Sequence, residues 1–150
     1  MLRIFPLFCY NFKYMKILFT GGGTGGHFYP IIAVAEAVTK ITDNKKIANV
    51  SMHYFSNEPY DAEALANNRI TYGYTPAGKL RIYFSPKNII DMCKVAVGVV
   101  VALWKVFMLY PDVVFAKGGF GSFPTLMAAR ILGIPVIIHE SDSAPGRVTA

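Results

Sequence analysis

The sequence predicts an α/β fold with a doubly wound parallel sheet of the Rossmann-like type. Five short apolar segments of strand character alternate with helical segments along the chain. Strands that alternate with helices in this way form parallel sheets with right-handed crossovers. The chain has 150 residues, of which 53% are hydrophobic and 16% are charged. This composition excludes a disordered chain, and the length suits one domain.

The first half of the chain contains three strand segments and two helical segments. Lys16 to Thr20 is a short apolar run that ends in glycines, and Pro30 to Ile41 has apolar residues at helical spacing. Asn49 to Phe55 is a second strand. Glu58 to Asn68 begins with acids and a proline, which suit a first helical turn, and Arg69 to Thr75 is β-branched and aromatic. The order is therefore strand, helix, strand, helix, strand.

The second half adds a loop, two helices and two strands. Pro76 to Pro86 is a loop, and Asn88 to Leu109 is a long apolar helix. Asp112 to Ala116 and Pro135 to His139 are predicted to be buried strands, and Ser122 to Leu132 is predicted to be a helix closed by a glycine.

The net charge of +6 is concentrated in two apolar segments. Residues 1–14 hold two basic residues and no acid, and residues 78–105 hold five basic residues and one acid. A nucleic-acid-binding protein more often spreads Lys and Arg over a whole face. The distribution argues against nucleic acid as a partner and favours an anionic membrane surface.

The cysteines and the first residues bear on the cellular compartment. Cys9 and Cys93 lie in unlike contexts without metal-ligating spacing, so we expect neither a disulfide framework nor a zinc site, and a reducing cytoplasm fits best. Residues 1–14 lack the cleavage site of a signal peptide. Because Met15 directly precedes the first strand, we expect translation to start there; the alternative is a short arm that touches a membrane.

Three polar or glycine-rich segments follow strands and should meet at one edge of the sheet. They are residues 21–27 (GGGTGGH), 117–122 (KGGFGS) and 139–142 (HESD). Ligands of such sheets bind beyond the carboxyl ends of the strands. A glycine-rich turn that opens a helix presents N–H groups and the positive helix end to an anion. Two such cradles suit a diphosphate or two ligands that meet; the alternative is that the glycines only permit tight turns.

His27 is the candidate general base of this cleft. It lies in the first turn of the first helix, where the helix dipole disfavours the imidazolium form and leaves a neutral ring that can accept a proton. The alternative is a histidine that braces the loop. Glu140 is expected to face the cleft, whereas His53 lies inside a strand and is expected to be structural.

A dinucleotide-binding oxidoreductase domain is a competing interpretation, because GGGTGG matches the pattern GxGxxG. That unit also needs an acid about 20 residues further on, after the second strand. The best candidate, Glu58, lies 35 residues after Gly23. The match is therefore weak.

The long apolar helix is a candidate membrane-contacting element. At about 100° per residue, Lys87, Lys94 and Lys105 fall within roughly 20° of one another. Only ten uncharged residues separate Lys94 from Lys105, well short of the roughly 20 that span a bilayer. Lysines on one line and an interfacial Trp104 favour partial burial at an anionic membrane surface. The alternatives are an ordinary helix that covers the sheet and a membrane-binding module without catalytic activity.

Two long motifs resemble a known family. The segments MKILFTGGGTGGHFYP and PDVVFAKGGFGSFPTLMAARILGIPVIIHES are similar to the amino-terminal domain of the peptidoglycan N-acetylglucosaminyltransferases of glycosyltransferase family 28, and the resemblance runs from Met15 to Ala150. It implies a two-domain GT-B enzyme that transfers GlcNAc, with inversion, from UDP-GlcNAc to the 4-hydroxyl of the muramoyl sugar of lipid I. The product is lipid II, a precursor in cell-wall biogenesis. The resemblance further implies a peripheral enzyme on the cytoplasmic face of the cell membrane. We expect no cofactor, and the residues indicate no metal site.

The resemblance also implies roles for particular residues. Thr24, Gly25 and Gly26 correspond to a loop that touches the donor UDP-GlcNAc, and His27 corresponds to the proposed base. The segment assigned to the acceptor diphosphate corresponds to Gly118, Gly119, Phe120, Gly121 and Ser122. His139 and Glu140 match a pair that lines the cleft, which makes Glu140 the second catalytic candidate.

The chain departs from the family pattern at Ser141 and Asp142, where Gln and Asn are usual. An ionised Asp only accepts hydrogen bonds, whereas an Asn amide also donates, so the donor contact expected of Asp142 is altered. The carboxy-terminal domain of such enzymes is not in this sequence. We therefore expect residues 15–150 to be an incomplete amino-terminal domain that has no transferase activity of its own.

Overall fold

A computed structural model of the chain describes residues 14–22, 24–45, 49–77 and 87–139, without the side chains of Lys45 and residues 87–94. The strands are β1 (Tyr14–Thr20), β2 (Asn49–Ser56), β3 (Ile70–Tyr74), β4 (Val113–Ala116) and β5 (Val136–Ile138). The helices are α1 (Gly25–Lys45), α2 (Ala62–Asn67), α3 (Lys87–Leu109) and α4 (Phe123–Ile131), and a 3-10 turn, Phe120–Ser122, precedes α4.

The strands form one parallel sheet in the order β3-β2-β1-β4-β5. β1 is the central strand, and its Ile17 pairs with Met52 of β2 on one side and with Val113 of β4 on the other. Because all pairs are parallel, the carboxyl ends of the strands lie along one edge. The predicted α/β fold with a parallel sheet is confirmed.

Each face of the sheet has its own apolar core, because successive strand side chains point to opposite faces. The core under α1 and α2 includes Ile17, Phe19, Phe28, Ile31, Met52, Tyr54, Leu65 and Ile70. The core under α3 and α4 includes Leu18, Phe55, Ala102, Val106, Val114, Ala128, Ala129 and Ile134. Where both faces are covered, as in β4 and in residues 17–19 of β1, the strands are apolar throughout. The first half of β2 alternates instead, with the exposed Asn49 and Ser51 beside Val50 and Met52. The prediction that the last strand is buried is wrong, because β5 is an edge strand and its side chains 137 and 138 are 54% and 45% exposed.

Helix α1 begins earlier than the apolar spacing predicts. It starts at Gly25 rather than at Pro30, because the glycine loop itself forms the first turn. The Thr24 carbonyl accepts hydrogen bonds from the N–H groups of His27 (3.1 Å) and Phe28 (3.2 Å). The predicted place of His27 in the first turn is confirmed.

Helix α2 begins later than predicted, at Ala62 rather than at Glu58. Asp61 is its N-cap, and the Asp61 Oδ1 atom accepts a hydrogen bond of 2.9 Å from the Ala64 N–H. The prediction of a helical turn from Glu58 is wrong because this cap fixes the start. Tyr60, just before the cap, has a positive φ of 56°.

Helix α3 is held close to the sheet near its middle and at its carboxyl end. A Cβ atom at Gly98 would lie 2.0 Å from the Pro76 carbonyl oxygen, so α3 crosses the end of β3 at a distance that only glycine permits. At the carboxyl end, the Lys16 Nζ atom donates to the Leu109 carbonyl (2.9 Å), and the Lys16 N–H donates to Asp112 Oδ2 (2.7 Å). A cation at a helix carboxyl end also interacts favourably with the helix dipole.

His53 should make the stability of this fold depend on pH. Burial lowers the pKa of its imidazole below the ordinary value of 6.5, and the charge of Lys16 lowers it further. The unfolded chain therefore takes up a proton at a higher pH than the folded chain does. The contribution of His53 to the free energy of unfolding should be constant above about pH 7 and decrease as the pH falls through and below the unfolded pKa.

Urea denaturation between about pH 5 and about pH 8 measures this effect. In His53→Gln the pH dependence should be flatter than in the wild type, whatever the substitution does to stability at neutral pH. An equal slope in both proteins would show that His53 is not the group responsible.

Candidate active site

Two glycine loops meet at the carboxyl edge of the sheet. The first glycine loop is residues 21–27, of which Gly23 lies outside the described residues, and the second glycine loop is residues 117–122. They follow the adjacent strands β1 and β4. A Cβ atom at Gly119 would lie 2.5 Å from the Gly22 carbonyl oxygen and 3.3 Å from Cδ2 of His27. The two loops therefore pack backbone against backbone. The predicted convergence of residues 21–27 and 117–122 is confirmed.

The start of α1 presents backbone donors to this edge. Gly25 and Gly26 lie in the first turn, where N–H groups have no partner within the helix. Thr24 and Gly26 are exposed, and Gly25 is half-buried. Together with the positive end of the helix dipole, these N–H groups can bind a phosphate group by donating hydrogen bonds to its oxygens.

His27 is half-buried against the second glycine loop. Its Nδ1 atom is buried and has no hydrogen-bond partner among the described residues. For Nε2 to accept a proton, Nδ1 must carry its own hydrogen, and a buried N–H without an acceptor is costly. Base chemistry at His27 therefore requires an acceptor for Nδ1 that the described part of the chain does not supply.

The second glycine loop is stabilised from within. Gly118 and Gly119 both have positive φ values, 87° and 84°. Ser122 is fully buried, and its hydroxyl and its N–H both donate to the Gly119 carbonyl, at 2.7 Å and 3.1 Å. Because both donors of Ser122 are used inside the loop, an anion at this segment would have to be bound by the backbone from Gly118 to Gly121. The Lys117 side chain is also buried, next to Gly21.

The end of β2 forms a third wall of the site, which the sequence interpretation missed. The Tyr54 hydroxyl donates to the Gly21 carbonyl at 2.8 Å. A Cβ atom at Gly22 would lie 2.8 Å from Ser56 Oγ, and one at Gly121 would lie 3.1 Å from Asn57 Oδ1. β2 thus contacts both glycine loops.

Two signals in the sequence could have identified this wall. Ligands lie beyond the carboxyl ends of all the strands in such a sheet, β2 included. A tyrosine inside a buried strand also needs a partner for its hydroxyl. Burial raises the pKa of the Tyr54 phenol above its ordinary value of 10.0, so the hydroxyl keeps its proton and acts as a donor.

The third predicted segment is described only at His139. Its N–H donates to the Ala116 carbonyl (2.8 Å), and its imidazole lies 6.2 Å from the Phe115 ring at the end of the edge strand β5. Glu140, Ser141 and Asp142 lie outside the described residues, so their roles stay predictions. Within the described ranges, no group of three or more His, Cys, Asp or Glu side chains is arranged to hold a metal ion.

The outer face of α3 carries an exposed apolar stripe, defined as Val97, Val100, Trp104, Phe107 and Met108. These residues recur at helical spacing on the side opposite the buried Ala102 and Val106. Trp104 is 65% exposed and Val100 is 67% exposed. None of the helices in the described part of the chain is long and apolar enough to cross a membrane.

Lys105 lies beside this stripe rather than on it. Its Nζ atom donates to the Tyr74 carbonyl at 2.5 Å and lies 5.9 Å from the centre of the Phe55 ring. The side chains of Lys87 and Lys94 lie outside the described residues. The membrane-facing prediction therefore depends on Trp104 and its apolar neighbours more than on the ammonium of Lys105.

The contact between the glycine loops should make Gly119→Ala more destabilising than an ordinary substitution at positive φ. Gly119 has φ 84° and ψ 159°, a backbone region that is essentially restricted to glycine and that costs another residue about 1–3 kcal/mol by itself. At Gly119 the new Cβ would also meet the Gly22 carbonyl. We expect chemical denaturation to show a loss beyond that range, or a displaced loop.

Gly133→Ala is the control for a glycine at positive φ that has no close contact. Gly133 also has a positive φ, 68°, but no atom lies within 4 Å of the position of a Cβ. This variant should show only the cost of the backbone conformation. Equal losses in the two variants would contradict the close packing of the loops.

Comparison with known proteins identifies relatives of the chain. Residues 17–150 match the family model described as the glycosyltransferase family 28 N-terminal domain. Two relatives are named UDP-N-acetylglucosamine--N-acetylmuramyl-(pentapeptide) pyrophosphoryl-undecaprenol N-acetylglucosamine transferase. The Treponema denticola protein is 41% identical over 145 residues, and the Clostridium kluyveri protein is 40% identical over 132 residues. The alignments cover 89% and 87% of this chain but 35% of each relative, so the chain spans about a third of their length.

The fold is also that of a solved structure. The crystal structure of MurG from Acinetobacter baumannii superposes with a TM-score of 0.66 and 24% sequence identity, covering 89% of this chain and 37% of that one. The family match favours a transferase over the dinucleotide-binding interpretation of the first glycine loop. By its match over residues 17–150, and in agreement with the motifs of both glycine loops, the chain belongs to glycosyltransferase family 28.

Proposed function

We propose that this chain forms the acceptor-binding domain of an N-acetylglucosaminyltransferase that converts lipid I to lipid II in peptidoglycan synthesis. The observation that carries the proposal is the direct contact of His27 and the first glycine loop with the second glycine loop, in a chain about 40% identical to transferases of that name. The substrates are UDP-GlcNAc and the muramoyl pentapeptide linked to undecaprenyl diphosphate. Neither a cofactor nor nucleic acid takes part.

The contact between the loops suits a reaction between two diphosphate-bearing substrates. The first loop, through Thr24, Gly25 and Gly26, faces the donor, and the backbone from Gly118 to Gly121 binds the acceptor diphosphate. Since the loops touch, the two substrates are held side by side. Holding both reactants in one orientation supplies much of the rate enhancement of a two-substrate reaction.

The chemical step is a displacement with inversion at the anomeric carbon of GlcNAc. The 4-hydroxyl oxygen of the muramoyl sugar forms the new bond, the bond to UDP breaks, and UDP leaves with the electron pair. Nε2 of His27 takes the proton of the attacking hydroxyl. Backbone N–H groups at the start of α1 stabilise negative charge on the donor diphosphate as it departs.

This mechanism requires a hydrogen-bond acceptor for Nδ1 of His27, which has no partner among the described residues. A bound substrate or a residue outside the described ranges must provide that acceptor. Glu140 remains the sequence-based candidate for a second catalytic group, and Asp142 for a contact with the donor.

The apolar stripe of α3 supports a membrane location for the proposed enzyme. Its acceptor is a lipid, and a peripheral domain reaches such a substrate by burying an apolar helix face at the surface of the bilayer. We place this surface on the cytoplasmic side of the cell membrane, with Trp104 in the interface and the predicted lysines Lys87 and Lys94 near anionic headgroups.

Replacement of His27 tests the catalytic part of the proposal. In the full-length gene product that carries this sequence, His27→Ala should lower GlcNAc transfer to a lipid I analogue by about 10²-fold or more, the usual contribution of an acid–base residue. His53→Gln, which changes a histidine of the sheet away from the glycine loops, should retain transfer. A loss of less than about tenfold in His27→Ala would remove His27 from the role of base.

Replacement of Trp104 tests the membrane part. Trp104→Ser should weaken sedimentation with vesicles of phosphatidylcholine and phosphatidylglycerol by about tenfold, since burial of one large apolar side chain contributes about 1.5 kcal/mol or more. Ile131→Ser is the control, because Ile131 is similarly exposed but lies on α4, outside the stripe. Equal effects of the two substitutions would contradict docking through α3.

A further inference from the structure

We infer that Tyr54 is a positioning residue of the active site, which holds both ends of the first glycine loop and so fixes His27 and the N–H groups of Gly25 and Gly26. The inference rests on the proposed function, because it assigns Tyr54 to the transfer reaction. It adds a residue from the core of the sheet to a site that the motifs place only in loops.

The hydroxyl of Tyr54 fixes the start of the loop. Tyr54 is fully buried within β2, and its hydroxyl donates to the Gly21 carbonyl at 2.8 Å. Gly21 is the first residue after β1, and it is also buried. A buried carbonyl keeps its position only while a donor satisfies it, because the loss of that donor exposes an unpaired polar group to an apolar core.

The ring of Tyr54 fixes the other end of the loop. It lies 5.7 Å from the Phe28 ring, edge to face at 79°. Phe28 is fully buried and directly follows His27 in the first turn of α1. One side chain therefore contacts the residue at which the loop begins and the residue at which it has become helix. The span that carries the anion-binding N–H groups and the imidazole lies between these two contacts.

The position of the Gly21 carbonyl also affects the second glycine loop. The oxygen lies 3.5 Å from the place that a Cβ atom of Gly121 would occupy. Ser56, two residues after Tyr54, is close to both Gly22 and Gly121. If the Gly21 carbonyl turned away from Tyr54 to find another donor, it would change the spacing between the loops. The hydroxyl of Tyr54 thus controls where the two substrates meet.

Two tyrosines allow a matched test. Tyr54→Phe removes the hydroxyl and keeps the ring on Phe28. Tyr72→Phe removes the hydroxyl of a neighbouring tyrosine on β3, which donates to the Ser56 carbonyl at 3.0 Å and whose ring lies 6.3 Å from that of Tyr54. Both variants lose one hydrogen bond to a main-chain carbonyl. Only the first loses the bond to the glycine loop.

Steady-state kinetics of the full-length gene product gives the first readout. Tyr54→Phe should lower kcat for GlcNAc transfer by about tenfold or more with KM little changed, because a misplaced base slows the chemical step at saturating substrate. In Tyr72→Phe, kcat should stay within about twofold of wild type, while the change in Tm should be similar to that of Tyr54→Phe. A kcat for Tyr54→Phe within about twofold of wild type, or an equal loss in Tyr72→Phe, would overturn the inference.

Amide hydrogen exchange gives a readout that does not depend on activity. Peptides that contain residues 21–28 should exchange faster in Tyr54→Phe than in wild type, and their exchange should be unchanged in Tyr72→Phe. If the wild-type protein transferred no GlcNAc, the proposed function would fail while this measurement still decided whether Tyr54 holds the loop. Unchanged exchange in Tyr54→Phe would overturn the inference on its own.

Discussion

The close approach of Gly119 to the Gly22 carbonyl and to the ring of His27 is the constraint on which the site depends. It leaves no space for a side chain where the loops meet, so both loops present backbone groups there. The contact is possible because β1 and β4 are adjacent and parallel, which delivers their carboxyl ends to neighbouring points on one edge. The sheet order brings the two loops together, and their glycines allow the backbones to approach this closely. The start of α1, where the first N–H groups have no partner within the helix, therefore lies beside the second glycine loop.

Much of this arrangement could be predicted from the sequence. The alternation of apolar segments gave the parallel sheet, and the rule for strand ends placed residues 21–27 and 117–122 on one edge. Local hydrogen bonds decided the details that were missed. The Asp61 cap moved the start of α2, and the glycine loop supplied the first turn of α1. Tyr54 was missed for a different reason: a tyrosine in a buried strand signals that its hydroxyl needs a partner, but that partner, the Gly21 carbonyl, is 33 residues away in the sequence.

Helix α3 connects the site to the surface of the domain. Its inner face is fixed by the approach of Gly98 to Pro76 and by Ala102 and Val106 in the core. The ammonium of Lys105 is bound to the end of β3, which fixes the rotation of the helix about its axis. The direction of Trp104 is therefore set relative to the sheet. The apolar stripe and the edge that carries the glycine loops are therefore held at one fixed angle to each other by the packing of α3.

The pairing of β1 with β4 has a consequence for how the chain folds. Lys16 and Asp112, whose hydrogen bond closes the base of this pair, are 96 residues apart in the sequence. Such distant contacts make folding slow, because a long segment must be ordered before they form. During synthesis, β1, α1 and β2 can assemble first. Leu18, on the opposite face of β1, stays exposed until α3 and α4 cover it. Until β4 has emerged from the ribosome, the central strand presents an open edge and an uncovered apolar face, which is the interval in which a chaperone would be needed most.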